Sequence, residues 1–431
     1  MLETTTNMKF LQFKKLIKSL GPGFITGASD DDPSGIATYS QTGARFGYGQ
    51  LWLAVFSFPF MTVIQEMCGR IGLVSGKGLA GVVRKNYSQK ILYPAVLLLL
   101  LANTINIGAN LGAMAAAAEL VLPLSFVILL FIITIGTICL QIFIPYKIYA
   151  RLLKYLAFTL LAYVITAFIV QNNWPVIFKS TIIPTISFTT DYLMNIVAVL
   201  GTTISPYLFF WQAGEEVEEE VANKKLRQMG AGIPMFTKKD IVEMRLDTIA
   251  GMFFSNLVMW FVIITTASTF FNNNITEIKT ADQAALALRP LAGDFAFLLF
   301  ALGIVGTGLL AIPVLAGSAS YAFSEAFGWR EGLYRKFTQA RGFYAVIAVA
   351  TLVGLLVNFT PIKPFQMLYY TAIINGVCAP PLMILIMLIA NNRKIMGSYT
   401  NSLFSNVAGW TITVLMTLSA LALFYSLIFS R

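Results

Sequence analysis

The chain has no histidine, only three cysteines, and few charged residues for its 431-residue length. Without histidine there is no imidazole proton switch and no His-ligated zinc or iron chemistry. Metalloprotease motifs of the His-Glu-x-x-His kind are excluded for the same reason. Cys68, Cys139 and Cys378 all fall within apolar segments and form no ligand or disulfide spacing, so they are expected to be core residues. Charged residues make up 12% of the sequence, against about 25% in soluble globular domains. The N-terminal stretch carries basic residues but no cleavable signal pattern. The net charge of +10 could suggest nucleic acid. Lys and Arg gathered in cytoplasmic loops of a membrane protein account for it better, and no nucleic-acid partner is expected.

What fills the space is apolar: 57% of residues are hydrophobic. Apolar stretches long enough to cross a bilayer recur along the whole length. Eleven spans are predicted, at about 20–44, 49–73, 91–120, 124–144, 150–171, 192–214, 246–271, 293–325, 342–359, 362–390 and 405–428. The expected fold is an all-α polytopic bundle in a lipid bilayer. With the N-terminus (1–19) in the cytoplasm, inside segments carry 24 of the 30 Lys and Arg residues and outside segments 6. That asymmetry follows the positive-inside rule and puts the C-terminus outside; the expected location is the plasma (inner) membrane. The transport core is expected over 20–390 and a loop with an extra helix over 391–431, with residues from about Glu215 to Arg245 as a cytoplasmic loop.

Two spans are abnormal. The first is apolar only from about Leu20 to Ala28, then meets Asp30, Asp31, Asp32 and Pro33 and continues as small and polar residues. Neither half alone crosses about 30 Å of hydrocarbon. The sixth reads "IVAVLGTTISPYLFFWQAG", with Pro206 in its middle. A proline removes a helix hydrogen bond and pushes the residue before it out of the α region. Helix breaks are therefore expected at Asp32–Pro33 and Ser205–Pro206. Five spans separate the two. Interruptions in corresponding places of two halves point to a midplane site in an inverted-repeat transporter. The repeats would be about 20–171 and 192–390, with span 11 as an addition.

A carboxylate inside a membrane costs roughly 2.5–3.5 kcal/mol on insertion scales and faces a cavity or a partner. Asp32 stands directly before the break, where backbone carbonyls lose their helical partners and the preceding helix end adds negative charge. It is the expected central metal ligand. Thr202 (through its carbonyl), Thr203 and Ser205 offer oxygens at the facing break. Every candidate ligand is a hard oxygen, which suits Mg²⁺, Ca²⁺ and Mn²⁺. Mg²⁺ keeps several waters, and the small Ser34, Gly35 and Ser205 leave room for them. Asp30 and Asp31 are expected either beside the ion or in an aqueous vestibule.

At these residues the sequence resembles a known family. The run "GPGFITGASDDDPSGIATYSQTGARFGYGQLW" and the following "IQEMCGRIGLVSGKGLAGVVRKNY" resemble the natural resistance-associated macrophage proteins, which transport divalent metals. The resemblance implies a LeuT-like 5+5 inverted repeat with broken helices 1 and 6. That family carries Asp-Pro-Gly-Asn in helix 1 and Met-Pro-His in helix 6. Here the motifs are Asp32-Pro33-Ser34-Gly35 and Ser205-Pro206-Tyr207. Gly35 replaces an Asn ligand, Ser205 the soft thioether, and Tyr207 the proton-linked His. Asn110 and Ala113 occupy the places of an acidic pair in helix 3. The pattern is similar to the divergent magnesium-transporting branch. It implies passage of Mg²⁺ and Mn²⁺ as substrates without proton coupling. No cofactor is expected, and the protein is expected to be a monomer.

Other features are expected to be structural. Glu66 and Arg70 are spaced to pair on one helix face. "GEEVEEE" (Gly214–Glu220) reads as a solvated helix end, with a cation-attracting exit funnel as the alternative. Thr371 and Asn375 of span 10 could line the cavity. Trp52, Trp174 and Trp211 read as interfacial anchors. The rival functions are a proton-coupled Mn²⁺/Fe²⁺ importer, a Na⁺-coupled solute symporter of the same architecture, and an intramembrane aspartyl protease. The last needs a second buried Asp on a facing helix, and Asp294 lies too near a span end to supply it.

Overall fold

The computed structural model describes residues 21–144 and 158–429. The expected N-terminal segment 1–19, the start of span 5 with its preceding loop, and Arg431 lie outside the described residues. The chain is helical. In order, the elements used below are α1 (Pro22–Asp30), α2 (Pro33–Phe46), α3 (Trp52–Ser75), α4 (Leu79–Asn86), α5 (Gln89–Glu119), α6 (Phe126–Phe143), α7 (Leu161–Ile169), α8 (Trp174–Ile182), α9 (Thr190–Thr203), α10 (Pro206–Ala222), α11 (Lys238–Thr269), α12 (Ala296–Phe327), α13 (Arg341–Leu356), α14 (Pro364–Ala390) and α15 (Leu403–Phe429). Among the described residues, nine helical segments are long and apolar enough to cross a membrane, the α9–α10 pair counting as one. They match the expected spans 2–4 and 6–11. Span 1 is the short pair α1–α2, and span 5 is described only in part.

Six prolines show what makes a break. Pro33 and Pro206 each start a new helix, at α2 and α10. Pro59, Pro94, Pro313 and Pro380 lie inside continuous helices. The residue before the proline differs. Asp32 and Ser205 are good N-cap types, whereas Phe58, Tyr93, Ile312 and Ala379 cannot cap. A proline at the first helical position costs nothing, because its missing N–H would be unpaired there anyway.

Glycines let the broken helices sit against continuous ones at backbone distance. A Cβ on Gly27 of α1 would lie 2.2–2.6 Å from the backbone of Gly251 on α11. A Cβ on Gly201 of α9 would lie 2.1 Å from the Ala372 carbonyl and 2.3 Å from the Gly376 nitrogen on α14. Such close packing of small residues is how helices associate where the solvent is as apolar as they are. It fixes α1 on α11, and α9 on α14.

Four expectations need correction. α10 continues through "GEEVEEE" to Ala222 and α11 starts at Lys238, so only the stretch between them is loop. Glu215, Glu216, Glu218 and Glu220 are not solvated but buried, at 4–7% exposure. Trp211 is no interfacial anchor: it is fully buried and meets Tyr321 edge-on, with ring centres 6.2 Å apart. Cys139 is exposed on α6 rather than in the core, while Cys68 and Cys378 are buried. The Glu66–Arg70 pair forms as expected, at 2.9 Å. Arg70 also donates to Asn401 Oδ1 at 2.7 Å and to the Tyr399 carbonyl, and Arg245 reaches Glu66 at 2.7 Å. The pair thus ties α3 to α11 and to the segment before α15. Asp294 is exposed, which removes the second acid of a protease.

Candidate cation site between two broken helices

The first break leaves Asp31 and Asp32 between α1 and α2. Asp32 is the N-cap of α2: the Gly35 N–H donates to its Oδ1 at 2.8 Å. Its Oδ2 accepts from Asn110 Nδ2 on α5 at 3.1 Å. Asn110 is steadied by Asn106, donating to its carbonyl at 2.9 Å and to its Oδ1 at 3.1 Å. The negative end of α1 and the positive end of α2 meet here.

The three acids are buried, at 1% exposure or less, but they face different ways. Asp30 and Asp31 turn to α11. The Ser255 hydroxyl donates to Asp30 Oδ2 at 2.6 Å, and its contact to Asp31 Oδ1 is 3.3 Å. Asp30 Oδ1 and Asp31 Oδ2 have no hydrogen-bond partner among the described residues.

The second break lies at Ile204–Ser205. Ser205 is the N-cap of α10, but its hydroxyl turns back to α9, bonding the Gly201 carbonyl at 2.8 Å and the Thr202 carbonyl at 2.7 Å. The two breaks face one another. A Cβ on Gly35 would lie 3.5 Å from Thr202 Oγ1, 3.3 Å from the Tyr39 ring and 3.0 Å from the Asp30 carbonyl. The Tyr207 hydroxyl donates across to the Ser29 carbonyl at 3.2 Å, in the last turn of α1. Ser34 faces α14, bonding the Leu368 carbonyl at 3.1 Å and lying 3.4 Å from Thr371 Oγ1. Asn375, one turn on, is buried with Oδ1 unpartnered among the described residues.

The structure therefore brings Gly35 to Thr202 and Tyr207 to Ser29, and sets Asp30 and Asp31 toward α11, away from Asn110. Sequence reasoning missed Ser255 and Tyr39, and read Asn110 only as a lost acid. The signal was present: Asn106 and Asn110 stand one turn apart in an otherwise small and apolar run. Among the described residues, no three Cys, Asp or Glu side chains are placed to hold a metal ion. A cation here would meet one carboxylate, with hydroxyls, carbonyls and water. An ionised carboxylate has about four lone-pair positions. The Gly35 and Asn110 hydrogen bonds take at least two of them.

Facing breaks with a buried carboxylate, set in a bundle of apolar helices, have the architecture of a LeuT-like membrane fold. Comparison with known proteins agrees. The family model "Natural resistance-associated macrophage protein-like" matches residues 23–426. The manganese transporter of Eremococcus coleocola, solved with an aromatic bis-isothiourea compound, is similar at TM-score 0.73 and 17% identity, over 95% of this chain and 86% of that one. Mhp1, a nucleobase-cation-symport-1 family transporter in a closed conformation, is similar at TM-score 0.55 and 12% identity, over 95% and 92%. Its inward-facing conformation is similar at TM-score 0.56 and 13% identity, over 94% and 90%. The chain belongs to the natural resistance-associated macrophage protein family and is an integral membrane transporter of divalent metal ions.

Proposed function

We propose that this transporter carries Mg²⁺, with Mn²⁺ as a second substrate, by alternating access and without moving protons. Asp32 is the central ligand. The Thr202 carbonyl, Ser205, backbone at Gly35 and retained waters complete the shell. Two five-span repeats rock around the site, in a monomer whose N-terminus is cytoplasmic and whose C-terminus lies outside the plasma membrane. The observation that carries this reading is the ligand set. One carboxylate stands among neutral oxygens, and its partner across the site, Asn110, is a neutral amide. Hard oxygens favour Mg²⁺ and Mn²⁺ over late transition metals. A small-residue lining leaves an ion that dehydrates reluctantly its water.

The second reading is Mn²⁺ as the main substrate, favoured by the likeness to a protein named as a manganese transporter. Mn²⁺ entry into proteoliposomes separates the two. On the Mg²⁺ reading, excess external Mg²⁺ suppresses Mn²⁺ entry. Mn²⁺ entry that is indifferent to a large Mg²⁺ excess overturns it.

A further inference from the structure

At the end where α1 begins and α10 ends, a cavity of about 170 Å³ opens between α10 and α11, lined by Glu216, Glu219, Glu220, Asp240, Glu243 and Asp247. Among the described residues the lining has a single cation, Lys225, which is already paired with Asp240 at 2.6 Å. Glu243 pairs with Lys239 at 3.4 Å. Asp247 accepts the Gly21 and Gly23 N–H groups at 2.9 and 2.7 Å, closing the start of α1. Glu219 accepts from Asn223 at 3.0 Å. Two acids remain. Glu216 Oε1 accepts from Gln212 Nε2 at 2.8 Å. Glu220 is only 4% exposed, yet neither of its carboxylate oxygens has a hydrogen-bond partner among the described residues.

Glu216 and Glu220 are one turn apart on the same face, an arrangement that destabilises a helix by itself. Among the described residues the nearby counter-charge is Lys225, and Asp240 already holds it, so burying both carboxylates is expensive. The cavity holds several waters by volume. Because no three acid side chains among the described residues converge on one point, a bare ion would lack ligands. A hydrated ion held through its water shell would not.

We propose that this cavity binds a hydrated divalent cation at a second site, one helix half away from Asp32, with Glu220 and Glu216 as its anchors. The identity of the ion rests on the function proposed above. Gln212, Glu216 and Glu220 form a polar line along α10, which starts at the second break. At 1.5 Å per residue, Glu220 stands about 21 Å from Pro206. The site would gather ions at one mouth of the transport path.

The test is Mn²⁺ binding to the full-length protein in nanodiscs, counted by electron paramagnetic resonance. An Asp32→Asn background disables the transport site. One Mn²⁺ per protein should remain bound, with the spectrum of a hydrated ion. Adding Glu220→Gln should weaken it at least tenfold, and Glu216→Gln should weaken it independently. Glu243→Gln, paired at the rim, should leave it within twofold. No Mn²⁺ above empty nanodiscs in the Asp32→Asn protein overturns the proposal. So does residual binding indifferent to both Glu220→Gln and Glu216→Gln. Transport could fail entirely without touching this result, so the two proposals stand or fall separately.

Discussion

Asp32→Asn removes one charge and one hydrogen bond, because an amide nitrogen cannot accept from Asn110 Nδ2 as Asp32 Oδ2 does at 3.1 Å. The Gly35 N–H donates to Asp32 Oδ1 at 2.8 Å, and an asparagine side-chain oxygen accepts that bond as well. Asn and Asp are equivalent as N-caps, so the start of α2 survives. What is lost is the attraction for the ion. Two unit charges 4 Å apart near a protein surface interact by about 4 kcal/mol, and a divalent ion doubles that to roughly 8 kcal/mol. Dehydration of ion and carboxylate consumes much of it. A net loss of about 3 kcal/mol still corresponds to more than a hundredfold. Asp30→Asn and Asp31→Asn should do far less, because those carboxylates face Ser255 on α11 rather than Asn110 on α5. The assay is initial Mg²⁺ and Mn²⁺ uptake into proteoliposomes at matched protein density, with melting curves alongside. The expected result is uptake down at least a hundredfold for Asp32→Asn in a protein that still melts as a folded one, and more than a tenth of the parent rate for the other two. Equal loss in all three variants, or parent-like uptake by Asp32→Asn, would refute the assignment.

Other outcomes follow from the same structure. Ser205→Met puts a soft thioether at the second break and should strengthen Cd²⁺ and Mn²⁺ relative to Mg²⁺ in a competition assay; no such gain means that Ser205 does not face the ion. Gly27→Ala drives a methyl group to within 2.6 Å of the Gly251 backbone. Overpacking costs about 1–3 kcal/mol, so its melting point should fall, and an unchanged one would mean that α1 is not seated on α11 as described. Glu331, in the loop after α12, is held well above the ordinary carboxylate range by burial first and by the charge of Glu325 second, with Lys77 opposing. A raised acid supplies stability at low pH that is lost as pH climbs through its raised value. Glu331→Gln should therefore melt higher than the parent at alkaline pH and no higher at acid pH; a gain of the same size at every pH would contradict this.

The two breaks were legible in the sequence because a cap-competent residue precedes each proline. The same rule explains why Pro59, Pro94, Pro313 and Pro380 interrupt nothing. Span positions were legible from hydropathy, since only long apolar runs survive in lipid. The directions of the three acids were not. Asp30, Asp31 and Asp32 are consecutive, and the broken backbone between them decides which helix each one meets. The acids of α10 misled for a related reason. Seven residues with five glutamates read as a solvated end by composition, but α10 runs on through them, and Tyr321 of α12 with the backbone of Leu333 and Tyr334 closes over Glu218. Trp211 misled likewise: its place near a span end said interface, while the small Gly317 opposite makes room for it in the core.

Passage of Mg²⁺ without protons is tested most directly by recording Mg²⁺ entry and internal pH together in the same proteoliposomes. Asn110 offers Asp32 an amide, not a second acid. Mg²⁺ should therefore enter down its gradient while internal pH stays flat, and an imposed pH gradient should not drive uptake. Acidification in step with Mg²⁺ entry, or uptake driven uphill by protons, would contradict it.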